Sequence, residues 1–97
     1  MVVLTARYQC KPGMADQVEA ALIEMMQLVK DHEPGCVHYL ANRGQEDGDA
    51  FLLFEQYQDE SALAQHSQTQ YFKRLVLGTI VPMLEKRERT LYVPIQP

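Results

Sequence analysis

The sequence lacks the motifs that usually mark a cofactor site or a nucleophile. It contains no glycine-rich phosphate loop, no CxxC pair and no nucleophile elbow, so nucleotide-binding, flavin-binding and hydrolase functions have no starting point. No apolar run approaches the roughly 20 residues that a membrane-spanning helix needs, and we expect no membrane association. The N-terminus shows no basic region, long apolar stretch or small-residue cleavage site, which predicts a cytoplasmic protein.

Positive charge is scarce and dispersed. The formal net charge is -4, and the nine lysines and arginines are interleaved with acidic residues. Because no basic patch is formed, we expect no nucleic-acid partner. A chain of 97 residues with 46% hydrophobic content can build one modest core, so residues 1–97 are predicted to form a single domain with one site. Cys10 and Cys36 stand in apolar, strand-like surroundings and are interpreted as structural.

The spacing of apolar residues predicts the order strand, helix, strand, strand, helix, strand. Pro34 should end the first helix by Glu33, and Asp59 is placed to cap a short second helix. Pro82 should break the helical stretch that follows, while the mixed charges of 85–89 are interpreted as a solvated helix face. The expected segments are Val2–Cys10, Val18–Val29, Cys36–Asn42, Phe51–Tyr57, Ser61–Ser67, Phe72–Met83 and Arg89–Ile95, with Pro94 and Pro97 closing the last.

This order is the split βαβ motif of a ferredoxin-like α+β domain, in which helices cover one face of a four-stranded antiparallel sheet. The run Phe51–Phe54 is apolar on both sides of its strand, so the uncovered sheet face would be an association surface. A twofold dimer is its simplest cover. We therefore predict a homodimer with a small-molecule pocket in each subunit.

His66 is the first candidate for chemistry. It follows Ala62 by four residues and Leu63 by three, on the helix stripe that should face the sheet. A shielded neutral imidazole is a plausible general base near pH 7. A core histidine bonded to a backbone carbonyl is an equally good interpretation.

Other polar and aromatic residues carry weaker signals. A carboxylate at Glu55, in a row of apolar strand residues, needs a partner and could hold His66, although from the residues alone an edge or rim glutamate paired with Arg7 or another cation is favoured. Cys36 and His38 share a strand face and with His66 could hold zinc, but the sequence has no second close ligand pair, and we expect no metal and no cofactor. Four aromatic residues could line a pocket, although most are expected to be core: Tyr39, Tyr57, Tyr71 and Phe72.

Four segments together resemble the antibiotic biosynthesis monooxygenase domain family. They are Glu33-Pro34-Gly35-Cys36, Phe54-Glu55-Gln56-Tyr57, Ala62-Leu63-Ala64-Gln65-His66 and the segment 69–73. The family pattern has an E-x-G-C turn, a strand ending E-x-[WY] and a helix A-L-x-x-H followed by T-x-x-[FY]. The resemblance spans nearly the whole chain, and it implies a dimeric α+β barrel of ferredoxin-like subunits.

The family's activities include quinol oxidation, oxygenation of aromatic polyketides, haem degradation and isomerisation of a phosphorylated quorum-signal sugar. The haem-degrading branch uses Asn, Trp and His where this chain has Ala6, His66 and Val76, which disfavours that activity. The chain resembles the quinol-oxidising branch at Glu55 and His66. It resembles the signal-processing branch in the segment 55–60 and in the basic residues before the last strand, so both activities stay open.

The oxygenase members need no metal or flavin, because the deprotonated substrate itself supplies the electrons. The resemblance therefore implies a cofactor-independent monooxygenase acting on a small quinol, phenol or enol. His66 would be the base and Glu55 a possible orienting partner, with the four aromatic residues as substrate-binding walls. The alternatives are an isomerase of a small phosphosugar-like signal and a non-catalytic dimeric ligand-binding module, which a fully buried His66 would favour.

Overall fold

The chain folds as a four-stranded antiparallel sheet with its helices on one face, in a computed structural model that describes residues 1–96. The strands β1 (Val2–Cys10), β2 (Cys36–Arg43), β3 (Ala50–Tyr57) and β4 (Leu84–Tyr92) lie in the order β2-β3-β1-β4. The helices are α1 (Ala15–His32), α2 (Glu60–Gln68) and the π-helical α3 (Phe72–Ile80), followed by a 3-10 turn at Val81–Met83. This is the predicted ferredoxin-like α+β architecture.

The core lies between the sheet and the helices. Alternate residues of β1 and β3 are buried on this side, and the predicted apolar stripe of α1 packs against them. The members with at most 5% exposure include Leu4, Ala6, Tyr8, Cys10, Val18, Leu22, Met25, Val29, Phe51, Leu53 and Tyr57. None of the helices in residues 1–96 is both long and apolar enough to cross a membrane.

The turn between α1 and β2 packs tightly against α2. The helix ends at His32, as the following Pro34 requires, and the carbonyl of Gly35 accepts the backbone N–H of Gln58 at 2.9 Å. A Cβ added at Gly35 would lie 2.8 Å from the Cβ of Ala62. Only glycine fits this contact, which fixes the distance between the turn and α2.

A polar joint links α2 to α3. The Asp59 carboxylate accepts the N–H of Ala62 at 2.8 Å, so the predicted N-cap is confirmed. At the other end, the Thr69 hydroxyl donates to the carbonyl of His66 at 2.9 Å and accepts the N–H of Phe72 at 3.2 Å. The predicted break at Pro82 is also confirmed, because the helix gives way there to the 3-10 turn.

The last strand was predicted too late in the chain. It spans Leu84–Tyr92 rather than Arg89–Ile95, and the mixed-charge run 85–89 is strand, not a helix face. These residues pair with β1 from Cys10 opposite Leu84 to Val3 opposite Tyr92. Charged residues are tolerated on both sides of an edge strand, so the spacing of these charges does not indicate a helix. Pro94 follows the strand, whereas the predicted closure at Pro97 lies outside the described residues.

The sheet face without helices carries apolar side chains. Leu40 lies opposite Phe54 in the register, and beside them Leu52 pairs with Asn42. Leu40 is 51% exposed and Leu52 is 38% exposed. This is the surface that the predicted dimer would cover, and the second copy itself stays a prediction.

Candidate active site

His66 points into the molecule from α2, as its helix spacing predicts. Its side chain is only 3% exposed. Three aromatic rings surround the imidazole: the centroid distances are 5.1 Å to Phe72, 5.4 Å to Tyr39 and 5.5 Å to Tyr57. Three of the four predicted aromatic residues are therefore neighbours of His66, on β2, β3 and α3.

The hydrogen-bond partner of His66 is Glu33, a residue that the sequence analysis placed only in a turn. The Nδ1 atom lies 2.9 Å and 3.0 Å from the two carboxylate oxygens. Tyr71, the fourth predicted aromatic residue, donates its hydroxyl to Oε2 of the same carboxylate. With the carboxylate as acceptor, the imidazole proton of this bond lies on Nδ1, and Nε2 is the nitrogen that faces the rest of the cluster.

Glu55 lies in the same cluster but does not bond directly to the imidazole. Its Oε1 atom is 3.9 Å from Nε2 of His66, beyond hydrogen-bond length, and it accepts the Tyr57 hydroxyl at 2.6 Å. The rim pairing with Arg7 was wrong. Glu55 is 4% exposed on the helix-covered face, whereas Arg7 is exposed, opposite Leu52 in the register, on the other face.

Burial raises the pKa of four groups around His66. Loss of water raises the pKa of Glu55, against smaller lowering effects from the Tyr57 hydrogen bond and the charges of His66 and Arg89. Burial also raises the pKa of Tyr39, Tyr57 and Tyr71, and the nearby glutamates raise them further. The three phenols therefore keep their protons, and those of Tyr57 and Tyr71 donate to Glu55 and Glu33.

Two openings flank the turn that carries Glu33. A crevice of about 160 Å³ lies between the turn and α2, with Glu33, Ala62 and Thr69 in its lining. A groove of about 360 Å³ runs between the C-terminal half of α1 and β2, and both Glu33 and Tyr39 line it. His66 lines neither opening. A larger depression of about 490 Å³ lies around the helix-free sheet face, near Arg7 and Leu52 and away from His66.

The zinc set considered from the sequence is not assembled. The Cys36 thiol donates to the backbone carbonyl of His38 at 3.3 Å, and burial raises the pKa of this thiol to about 12. Within residues 1–96 no three side chains of His, Cys, Asp or Glu are grouped as a metal site would require. His32 is exposed at the end of α1, as expected of a solvated helix end.

Comparison with known proteins gives the cluster a family context. A family model described as antibiotic biosynthesis monooxygenase matches residues 1–76, which contain every residue of the cluster. The chain belongs to this family. A curated relative, an uncharacterized protein of Synechocystis, is 29% identical over 75 residues, which cover 77% of this chain and 50% of that protein. The chain thus spans about half the length of the curated relative it matches.

Solved structures agree with the family assignment. A crystal structure of an antibiotic biosynthesis monooxygenase superposes with a TM-score of 0.89 at 27% identity, covering 99% of this chain and 100% of that one. A protein of Bacteroides thetaiotaomicron, described as a candidate member of the same family, has a TM-score of 0.90 at 27% identity, with coverages of 99% and 90%. A Mycobacterium tuberculosis protein shares the fold, with a TM-score of 0.88 at 23% identity and coverages of 99% and 96%.

Proposed function

We propose that this chain is a cofactor-independent monooxygenase that oxidises a small quinol, phenol or enol, with the His66–Glu33 pair as its proton acceptor. The observation that carries the proposal is the partly buried hydrogen bond between the Nδ1 atom of His66 and the Glu33 carboxylate, 2.9 Å long. A base held in a defined orientation is the main requirement of an oxygenase whose substrate supplies the electrons. The family's description as antibiotic biosynthesis monooxygenase supports the same reaction class.

In the proposed reaction the pair removes a hydroxyl or enolic proton from the substrate. The resulting anion passes electrons to molecular oxygen, one oxygen atom enters the product and the other leaves as water. The pair consists of His66, the base expected from the sequence, and Glu33, whose carboxylate hydrogen-bonds to the Nδ1 atom of the imidazole. We assign Glu55 a second, electrostatic role beside Nε2. Of the four predicted aromatic residues, Tyr39 would contact the substrate, and Tyr57, Tyr71 and Phe72 would exclude water from the pair.

We further propose that the protein works as a homodimer through the helix-free sheet face. Leu40, Leu52 and Phe54 form an apolar patch there that a second copy would cover. A twofold interface places the same patch on both partners, so it is self-complementary.

The 3% exposure of His66 favours one other function, that of a non-catalytic dimeric ligand-binding module. In such a module the imidazole and Glu33 would only stabilise the junction between α2 and the turn. A signal isomerase, the other alternative, would use the pair to move a proton between carbon atoms without oxygen.

An oxygen-uptake screen over quinols and polyphenols tests the proposal. The monooxygenase should consume oxygen with at least one of these substrates, and the Glu33→Gln/His66→Ala double variant, which loses both members of the pair, should lower turnover about 10² to 10⁴ fold while the protein stays folded. Uptake by neither protein would reject the oxygenase. Isomerisation without uptake would indicate the isomerase, and a His66→Ala protein that is destabilised but equally active per folded molecule would make the histidine structural.

A further inference from the structure

We propose that the substrate binds in the groove between α1 and β2 and gives its proton to Glu33, the member of the His66–Glu33 pair that this groove reaches. The inference rests on the proposed function and specifies its site. The occupant of the groove is a small flat aromatic alcohol of one to three rings. His66 then acts as the positioning residue of the pair.

Access separates the two members of the pair. The Glu33 side chain is 11% exposed and that of His66 is 3% exposed. Glu33 lines both the 160 Å³ crevice and the 360 Å³ groove, whereas His66 lines neither. The free Nε2 atom of His66 instead faces Glu55 at 3.9 Å, in the closed part of the cluster. A substrate that enters from solvent therefore meets the carboxylate before it meets the imidazole.

The groove has the chemistry of a site for an aromatic alcohol. Its volume of about 360 Å³ is within the range of small-molecule pockets, about 300 to 1,000 Å³. Its walls are largely apolar, with the Tyr39 ring and the Glu33 carboxylate as the groups that a ring and a hydroxyl would contact. Apart from Leu40, which belongs to the helix-free face, the apolar lining residues are Met26, Val29, Pro34 and Val37, and the polar Lys30 and His38 line the same groove.

The carboxylate has room for one more hydrogen bond. Its two oxygens offer about four acceptor positions, and three are taken: Nδ1 of His66 contacts both oxygens and Tyr71 contacts Oε2. The open position is on Oε1. There the substrate O–H bond would break, a new O–H bond would form on Glu33, and the electron pair would stay on the substrate oxygen. The two existing donors hold the carboxylate in place for this transfer.

Two substitutions that preserve the hydrogen bond between residues 33 and 66 distinguish Glu33 from His66 as the proton acceptor. Glu33→Gln can still accept the Nδ1 hydrogen bond but cannot take a proton, so turnover should fall about 10² to 10⁴ fold. His66→Asn keeps an N–H donor in about the place of Nδ1 but has no basic nitrogen, so turnover should fall less than about tenfold. The opposite order, with Glu33→Gln nearly active and His66→Asn inactive, would overturn the assignment and leave His66 as the base.

The groove itself is tested by binding, independently of turnover. We would titrate 2-naphthol under argon and follow the methyl signals of Val29, which lines this groove and not the neighbouring one, by NMR. Val37→Trp, on β2, fills the groove and should weaken binding more than about tenfold. Ile23→Trp, exposed on α1 and lining a different groove, should change binding less than about twofold. Equal effects of the two folded variants, or unmoved Val29 signals, would reject this site. If wild-type protein binds 2-naphthol here but consumes no oxygen, the proposed function fails and the site survives.

Discussion

Replacing Gly35 by alanine should disturb both stability and the candidate site. The added Cβ would lie 2.8 Å from the Cβ of Ala62, and a comfortable carbon contact needs about 3.5 to 4.0 Å, so the turn and α2 must separate by about 1 Å. Overpacking of this kind costs about 1 to 3 kcal/mol. The lower flexibility of alanine in the unfolded chain returns about 0.4 to 1 kcal/mol. We therefore expect a net loss of about 1 to 2 kcal/mol.

The same separation should lengthen the link between Glu33 and His66. This hydrogen bond is 2.9 Å long and joins the two segments that the new Cβ pushes apart. Because hydrogen bonds of this kind fail beyond about 3.2 Å, a shift of about 1 Å along its direction would break it. Gly35→Ala should therefore lower turnover as well as stability.

Urea unfolding of Gly35→Ala, Ala62→Gly and the double variant measures the contact directly. Ala62→Gly removes the opposing Cβ, so the double variant should show a coupling free energy of at least about 1 kcal/mol. Gly48→Ala is the matched control, because its added Cβ would meet only the Arg43 side chain at 3.7 Å and should cost nothing. If Gly35→Ala is as stable as Gly48→Ala, the tight contact between turn and α2 does not exist in solution.

Three further predictions concern protonation, thiol reactivity and assembly. Burial raises the pKa of Glu55 above its usual 4.5, so the folded protein holds this proton more tightly than the unfolded chain and loses stability as pH rises from 4.5 through the raised pKa. In urea titrations, Glu55→Gln should become more stable relative to wild type as pH rises over that range. A pH-independent difference between the two free energies of unfolding would contradict this. Burial raises the pKa of Cys36 to about 12 and also raises that of Cys10. Both thiols should therefore react with a disulfide reagent much more slowly in folded protein than in guanidinium, and fast reaction of the folded protein would refute their burial. In sedimentation, wild-type protein should have twice the 11.1 kDa chain mass and Leu52→Glu should not, and a wild-type monomer at micromolar concentration would reject the dimer.

The fold could be predicted from the sequence because its signals are local. Period-two burial in β1, the three-to-four-residue stripe of α1 and the Asp59 cap each act within a few residues. The last strand could not be placed correctly. Its residues Glu85–Arg89 have no apolar pattern, and only the hydrogen bonds to β1, more than 70 residues earlier, make them a strand.

The candidate site was predicted in part, for a similar reason. Helix spacing was enough to predict that His66 points inward. Its partner Glu33 lies 33 residues earlier, and the turn contact through Gly35 brings the two together. The E-x-G-C motif contained this information, since its glutamate bonds to the imidazole and its glycine allows the approach. Glu55 was placed at the rim because one sequence does not show which face of β3 the helices cover.

The most direct test of the central claim is a single-turnover reaction of metal-free wild-type protein with a quinol that supports uptake, under ¹⁸O₂. The account predicts one labelled oxygen atom in the product and one in water, and no detectable product when both members of the pair are replaced in Glu33→Gln/His66→Ala. Unlabelled product, or labelled product formed at the wild-type rate by the double variant, would contradict a monooxygenase that depends on this pair.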